Sequence, residues 1–355
     1  MTDQIQSEVQ GKLGIITLNR PGVLNALTTE MCVEITRLMC GWVNDENIGA
    51  VLVRGGGERA FCAGGDVVML HDSGKDDGID AEKFWRTEYA LNELIQRYDK
   101  PYIALIDGVV MGGGVGLSVH GRYRVAGDNT LFAMPETGIG YFPDVGGTYF
   151  LPRLSVPTGM WLGLTGARLG TAQVCALGIA THFVASSHHN SLVKTLGRAE
   201  LDGTDGPVME ILEKYGKAPL KVGDSPDAIN AFFGASMGEI IETLTKSDSE
   251  WAKAQIDILS RKSPLALAVT FEALTRGAGL TFREAMAREL DISLNFLKTQ
   301  DFYEGIRAQL IDRDRNPKWS HESVGEVTNA QVEHMFERAA EPELEFLDQE
   351  IPGLQ

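Results

Sequence analysis

The sequence predicts an α/β fold that gives way to a helical layer, and three observations carry that prediction. Short runs rich in branched and apolar residues alternate with segments of helical periodicity through the first half of the chain. Glycine clusters follow two of those runs, at Gly64 and Gly65 and at Gly112 to Gly114. Beyond residue 151 the strand signals thin out, and apolar residues recur mostly at helical spacing. The expected division is a core over residues 1–200 and a mainly helical region, 201–355, packed on it.

Residues 12–19 (KLGIITLN) and 50–54 (AVLVR) read as strands, rich in β-branched residues and flanked by Gly or Pro. Between them Thr28 or Thr29 can cap a helix, because a hydroxyl accepts from an orphan N–H of the first turn. Met31, Cys32, Ile35, Leu38 and Met39 then recur at helical spacing. The Gly- and Asp-rich residues 71–80 read as a polar loop, followed by a helix over 81–97. Residues 102–107, 123–126 and 131–133 supply further strands, and 115–119 can open a helix after the glycine triplet. Thr171 caps a helix over 171–178, and 180–184 form a short strand. Residues 197–227 mix charge, Gly and Pro and read as a surface excursion. Helices over 228–244, 249–260, 264–276, 281–299 and 302–311 complete the chain, and no internal repeat stands out.

A formal charge of −17, from 32 basic and 49 acidic residues, argues against a nucleic-acid footprint. An anionic ligand must then be held by local Lys, Arg or backbone N–H groups. No run of about 18 apolar residues is present, so no membrane helix is expected. The opening MTDQIQSEVQ lacks a basic n-region and an apolar h-region, which reads as a cytoplasmic protein. Four cysteines without a C-x-x-C pair read as reduced core thiols, and seven histidines without an H-x-x-x-H spacing give no metal site.

Residues 107–151 hold the chemistry. Gly112, Gly113 and Gly114 follow a strand and precede an apolar run, while Glu136 and Asp144 stand alone among apolar neighbours. Glycines there let a ligand atom approach the backbone and leave N–H groups at a helix start free to face negative charge. A tight strand-to-helix packing turn would use the same glycines. A dinucleotide fingerprint fails, since the sixth residue from Gly112 is Leu117, and no Gly-Lys-Ser/Thr ending completes a P-loop. Desolvation at Glu136 would disfavour its charge and make it a stronger base. A lone glutamate after a strand equally suits the first turn of a helix.

RPGVLNAL (20–27), FCAGGD (61–66), DGVVMGGGVGL (107–117) and MPETGIGYFPDVGG (134–147), in this order, resemble the enoyl-CoA hydratase/isomerase, or crotonase, superfamily. VMGGGVGLSVHG, FAMPETGIGYFPDVGGTYFLPRL and EGIRAQLIDRDRNPKW are most similar to its 3-hydroxyisobutyryl-CoA hydrolase branch, extending the resemblance to Trp319. The resemblance implies a crotonase-like spiral of β-β-α units in which the N–H groups of Gly65 and Gly113 hold a thioester carbonyl. Donors placed in advance are worth roughly 3 kcal/mol each where charge develops. Hydratases of this family carry two glutamates. The first falls here at Gly116 and only Glu136 is kept, so hydration looks disabled.

The resemblance further implies Glu136 as nucleophile or general base, with both routes open, and Ala63, Glu88 and Asp144 as substrate contacts. Asp144 would accept from a β-hydroxyl; taken alone, Glu88 would pass for a solvated helix acid. Arg20, Lys262 and Lys318 are the candidates for the CoA phosphates. The implied activity is hydrolysis of a short β-hydroxyacyl-CoA thioester, 3-hydroxyisobutyryl-CoA foremost, in valine breakdown. Enoyl-CoA hydratase, dienoyl- or enoyl-CoA isomerase and a non-catalytic CoA-binding module are the alternatives, the last disfavoured by both glycine motifs and Glu136. An acyl-CoA is the expected partner, with no cofactor beyond the CoA of the substrate, no nucleic acid, no membrane, and a trimer or hexamer as the family's habit.

Overall fold

The computed structural model describes residues 2–216 and 227–347. Its strands are β1 (Ile5–Gln10), β2 (Leu13–Leu18), β3 (Ala50–Gly55), β4 (Ala60–Cys62), β5 (Tyr102–Ile106), β6 (Val109–Met111), β7 (Tyr123–Ala126), β8 (Leu131–Ala133), β9 (Leu169–Gly170) and β10 (His182–Phe183). Six form one sheet in the order β1-β2-β3-β5-β7-β10; four form a second, β4-β6-β8-β9. Only the β1–β2 and β8–β9 pairs are antiparallel.

The topology is a spiral. β3 leads to β4, β5 to β6 and β7 to β8, and each pair spends its first strand in the large sheet and its second in the small one. The small-sheet strands then run into helix α2 (Val67–Lys75) with α3 (Ile79–Gln96), into the short helix α4 (Gly113–Gly116), and into a 3-10 turn, Glu136–Ile139. Because β4, β6 and β8 are parallel neighbours, roughly 4.8 Å apart, their three exits converge on one place.

Alternation along the large sheet explains its two cores. Leu13, Ile15, Ala50, Leu52, Ile103 and Leu105 face helices His189–Arg198 and Asp205–Tyr215, while Ile16, Leu18, Val51, Val53, Ala104 and Ile106 face the main core. That main core runs from Ile5 to Leu344 without a break between early and late halves. The helix predicted after Thr28 is present as α1, Thr29–Val43, with Thr28 accepting from the Met31 amide and the five expected residues buried.

The predicted loop over 71–80 is instead mostly helix. The Asp66 carboxylate accepts from the Met69 amide and caps α2, and only residues 76–78 separate α2 from α3. Gly74, one reason to read a loop, is a packing glycine, since a Cβ there would meet Leu297 Cδ1 at 2.5 Å. β1 was not expected, being mostly exposed, and β4 and β6 are too short to show a period of two. The expected excursion over 197–227 contains the helix Asp205–Tyr215, which buries Val208, Ile211 and Leu212; residues 217–226 lie outside the described residues. The helix predicted over 228–244 divides into a 3-10 segment, Asp227–Phe232, and a helix, Met237–Lys246, whose cap is Ser236.

Late helices close over the spiral. Helix Phe282–Phe296, started by a Thr281 and Glu284 capping box, packs on α3. The segment after residue 329 wraps both. Asn295 Nδ2 donates to the Glu337 carbonyl at 2.9 Å, Asp291 accepts from the amides of Ala339 and Ala340, and Arg86 donates to the carbonyls of Pro342 and Glu343. All four cysteines are free thiols, Cys32 and Cys62 fully buried.

Candidate active site

The exit from β4 is held by the segment that precedes α1. The Asn25 side chain, itself buried, donates to the carbonyls of Gly56 and Ala60 at 3.0 Å and accepts from the Arg20 amide. The Ala63 amide donates to Leu24, Leu27 to Gly64, and Asp66 to Leu27. Arg20 then pairs with Asp66 at 3.2 Å, so this guanidinium is committed to the loop. Gly64 sits at φ +121°, a conformation closed to side chains. With the loop fixed this way, the Gly65 N–H meets no backbone acceptor among the described residues.

The exit from β6 repeats the device. Gly112 turns at φ +46° and Gly113 opens α4, so its N–H has no acceptor within the helix. A Cβ on Gly112 would lie 3.2 Å from Gly64 Cα and 3.4 Å from Glu136 Oε1, which shows how closely the three exits meet. A Cβ on Gly113 would collide with Glu88 Oε1.

Glu136 opens the turn after β8, is 6% exposed, and its Oε2 has no hydrogen-bond partner. Burial first, and then the charge of Asp144, hold its carboxyl well above the usual range, while Lys262 pulls the other way. Glu88 is 2% exposed with an unpartnered Oε1, so it is no solvated helix acid; burial and then Asp144 raise it too.

Asp144 is braced. Its Oδ2 accepts from Tyr89 at 2.8 Å and from Tyr141 at 3.2 Å, which leaves Oδ1 for another donor. Ser293 joins both hydroxyls at 2.8 and 2.6 Å. Burial pushes the Asp144 carboxyl up to about 6 against those tyrosine hydrogen bonds. The backbone beyond it is strained, with Val145 at φ +51° and Gly146 at φ +82°. Glu289 holds that turn, accepting from the Gly146 amide at 2.7 Å, the Thr148 amide at 3.0 Å and the Thr148 hydroxyl.

Ala63, Gly65, Glu88, Gly113, Glu136 and Asp144 are thus brought together. Of the three cations, Lys262 lies beside Glu136, its Nζ 3.2 Å from where a Gly138 Cβ would stand, and burial lowers it to about 8. Lys318 is exposed and donates to Asn316. Tyr89, Tyr141, Glu289, Ser293 and Asn92 were not foreseen. Tyr89 and Asn92 could have been, as they lie one and four residues after Glu88 on α3. A surface cleft of about 600 Å³, lined by Arg54, Asp107, Asn129 and His189, lies elsewhere; unpartnered polar groups mark the site.

Residues 13–336 match the family model described as enoyl-CoA hydratase/isomerase. The chain is 43% identical over 351 residues to 3-hydroxyisobutyryl-CoA hydrolase, mitochondrial, of Danio rerio, covering 97% of this chain and 92% of that protein. The protein of the same name from Xenopus tropicalis is 46% identical over 92% of this chain and 86% of its own length. Among solved structures, a carnitinyl-CoA dehydratase from Mycobacterium thermoresistibile superposes with a TM-score of 0.90 at 38% identity, covering 98% of this chain and all of that one. An enoyl-CoA hydratase from Rhodobacter sphaeroides gives 0.86 at 36%, covering 97% and 100%. The names of the first two overturn the cytoplasmic expectation, which rested on the lack of secretory n- and h-regions, a criterion blind to a mitochondrial address. Model match, identity and superposition agree that the chain belongs to the enoyl-CoA hydratase/isomerase family.

Proposed function

We propose that this chain hydrolyses a short β-hydroxyacyl-CoA thioester, foremost 3-hydroxyisobutyryl-CoA, to CoA and 3-hydroxyisobutyrate, a step of valine breakdown. The observation that carries the reading is one buried, unpartnered carboxyl, Glu136, beside two loops whose glycine N–H groups are unspent. The hydrolase names of relatives at 43% and 46% identity support it.

The N–H groups of Gly65 and Gly113 receive the thioester oxygen and stabilise the negative charge it gains on attack. Glu136 then serves in one of two ways. Its carboxylate adds to the carbonyl carbon, the C–S bond breaks, CoA leaves as thiolate, and water opens the resulting anhydride. Alternatively it takes a proton from the water that attacks. In a single turnover in ¹⁸O-water, an unlabelled first product with label in the Glu136 carboxyl marks an anhydride opened at the Glu136 carbonyl, whereas a labelled first product fits either direct attack of water or an anhydride opened at the acyl carbonyl. Asp144 and Glu88 contact the acyl group, and Lys262, beside Glu136, favours its carboxylate form.

Two of the similar solved structures bear dehydratase and hydratase names. Against that chemistry stands Gly116, whose side-chain space is filled by Asn92 and Val145 and holds no second carboxylate. The test is thiol release from 3-hydroxyisobutyryl-CoA, followed with a chromogenic reagent. Loss of the crotonyl-CoA absorbance without thiol release would restore the hydratase reading.

A further inference from the structure

Among the described residues, seven buried side-chain polar atoms lack a partner, and four of them belong to Glu88, Asn92 and Glu136 around the glycine triplet. Asn92 contributes two, both its Nδ2 and its Oδ1, and is fully buried. It follows Glu88 by four residues, so the two share one face of α3. That face lies along α4, Glu88 against Gly113 and Asn92 against Gly116. A Cβ on Gly116 would stand 2.8 Å from Asn92 Nδ2, 3.0 Å from its Oδ1 and 2.8 Å from Val145 Cβ, which places the amide next to the Asp144 turn.

We propose that the Asn92 carboxamide is a hydroxyl-recognition group of the acyl pocket, acting opposite Asp144. A hydroxyl offers one donor and two acceptor positions. Asp144, with Oδ2 spent on two tyrosines, can only take the hydroxyl proton; a second polar partner must donate, and the Asn92 NH₂ is the unspent donor on that side. A plain acyl chain leaves the amide unmatched, and an amide buried without partners disfavours such a ligand. The assignment rests on the β-hydroxyacyl thioester reading.

The test separates binding from turnover. Affinities of 3-hydroxyisobutyryl-CoA and isobutyryl-CoA are measured by calorimetry on Glu136→Gln protein, then with Asn92→Leu or Asn92→Ala added. The expected result is at least about tenfold preference for the hydroxylated ligand, falling at least about threefold in either double variant, with Asp144 keeping the remainder, while isobutyryl-CoA affinity holds within about twofold. An unchanged preference, no preference at the outset, or equal weakening of both ligands would overturn the assignment, the last by showing a merely structural amide. Parent protein that prefers the hydroxylated ligand but releases no thiol would sink the hydrolase reading and leave the subsite standing.

Discussion

Burial, more than any single neighbour, holds the Glu136 carboxyl well above its ordinary range, and that sets how the site should respond to pH. A base must be deprotonated to act, so turnover should rise with pH through the raised Glu136 range. Lys262 opposes the rise, because its charge favours the carboxylate. Lys262→Met should therefore move the midpoint of kcat against pH upward, and a midpoint that stays put or falls would remove Lys262 from this role. Glu136→Gln keeps shape but loses nucleophile and base; turnover should fall by about two to four orders of magnitude while acyl-CoA binding persists. Activity within a few-fold of the parent would take Glu136 out of the chemistry.

At the scale of elements, the site depends on a late helix, Phe282–Phe296, that grips the turn after Asp144. Glu289 is fully buried and, pushed up to about 8 by burial, still accepts from two amides and a hydroxyl of the strained turn after Asp144. Removing it strands those donors, at roughly 1–3 kcal/mol for each left unsatisfied. Glu289→Ala should lower the urea midpoint and slow turnover, whereas Glu289→Gln, which keeps an acceptor, should restore much of the stability. Equal losses in both variants would show that charge, not acceptance, matters there. Sequence spacing could not announce this support, since Glu289 lies 143 residues from Gly146 and Ser293 lies 204 from Tyr89. What was legible was local: the α1 cap, the glycines whose N–H groups go unspent, and Glu136 at a strand exit. α2 was missed because Gly74 and its polar neighbours mimic a turn, although the glycine serves packing against Leu297.

For the whole molecule, the spiral aligns three strand exits and the last segment straps the assembly. Val332, Met335, Ala340 and Leu344 are buried there, and Arg86 and Arg97, which grip it, both sit on or next to α3, the helix of Glu88. A chain ending at Thr328 should melt roughly 5–15 °C lower, from the apolar area re-exposed, and should turn over more slowly as α3 loosens. A truncated chain with the parent Tm would show that the strap does not support the fold. The cysteines buried within this body carry a different consequence. Cys62, beside the first glycine loop, is pushed up to about 12 by burial, and Cys32 is held far above the ordinary thiol range by burial and by Glu88. Thiol–disulfide exchange runs through the thiolate, so these two sulfurs, buried in the core close to a site that releases a thiol product, are poor nucleophiles toward an oxidised CoA disulfide.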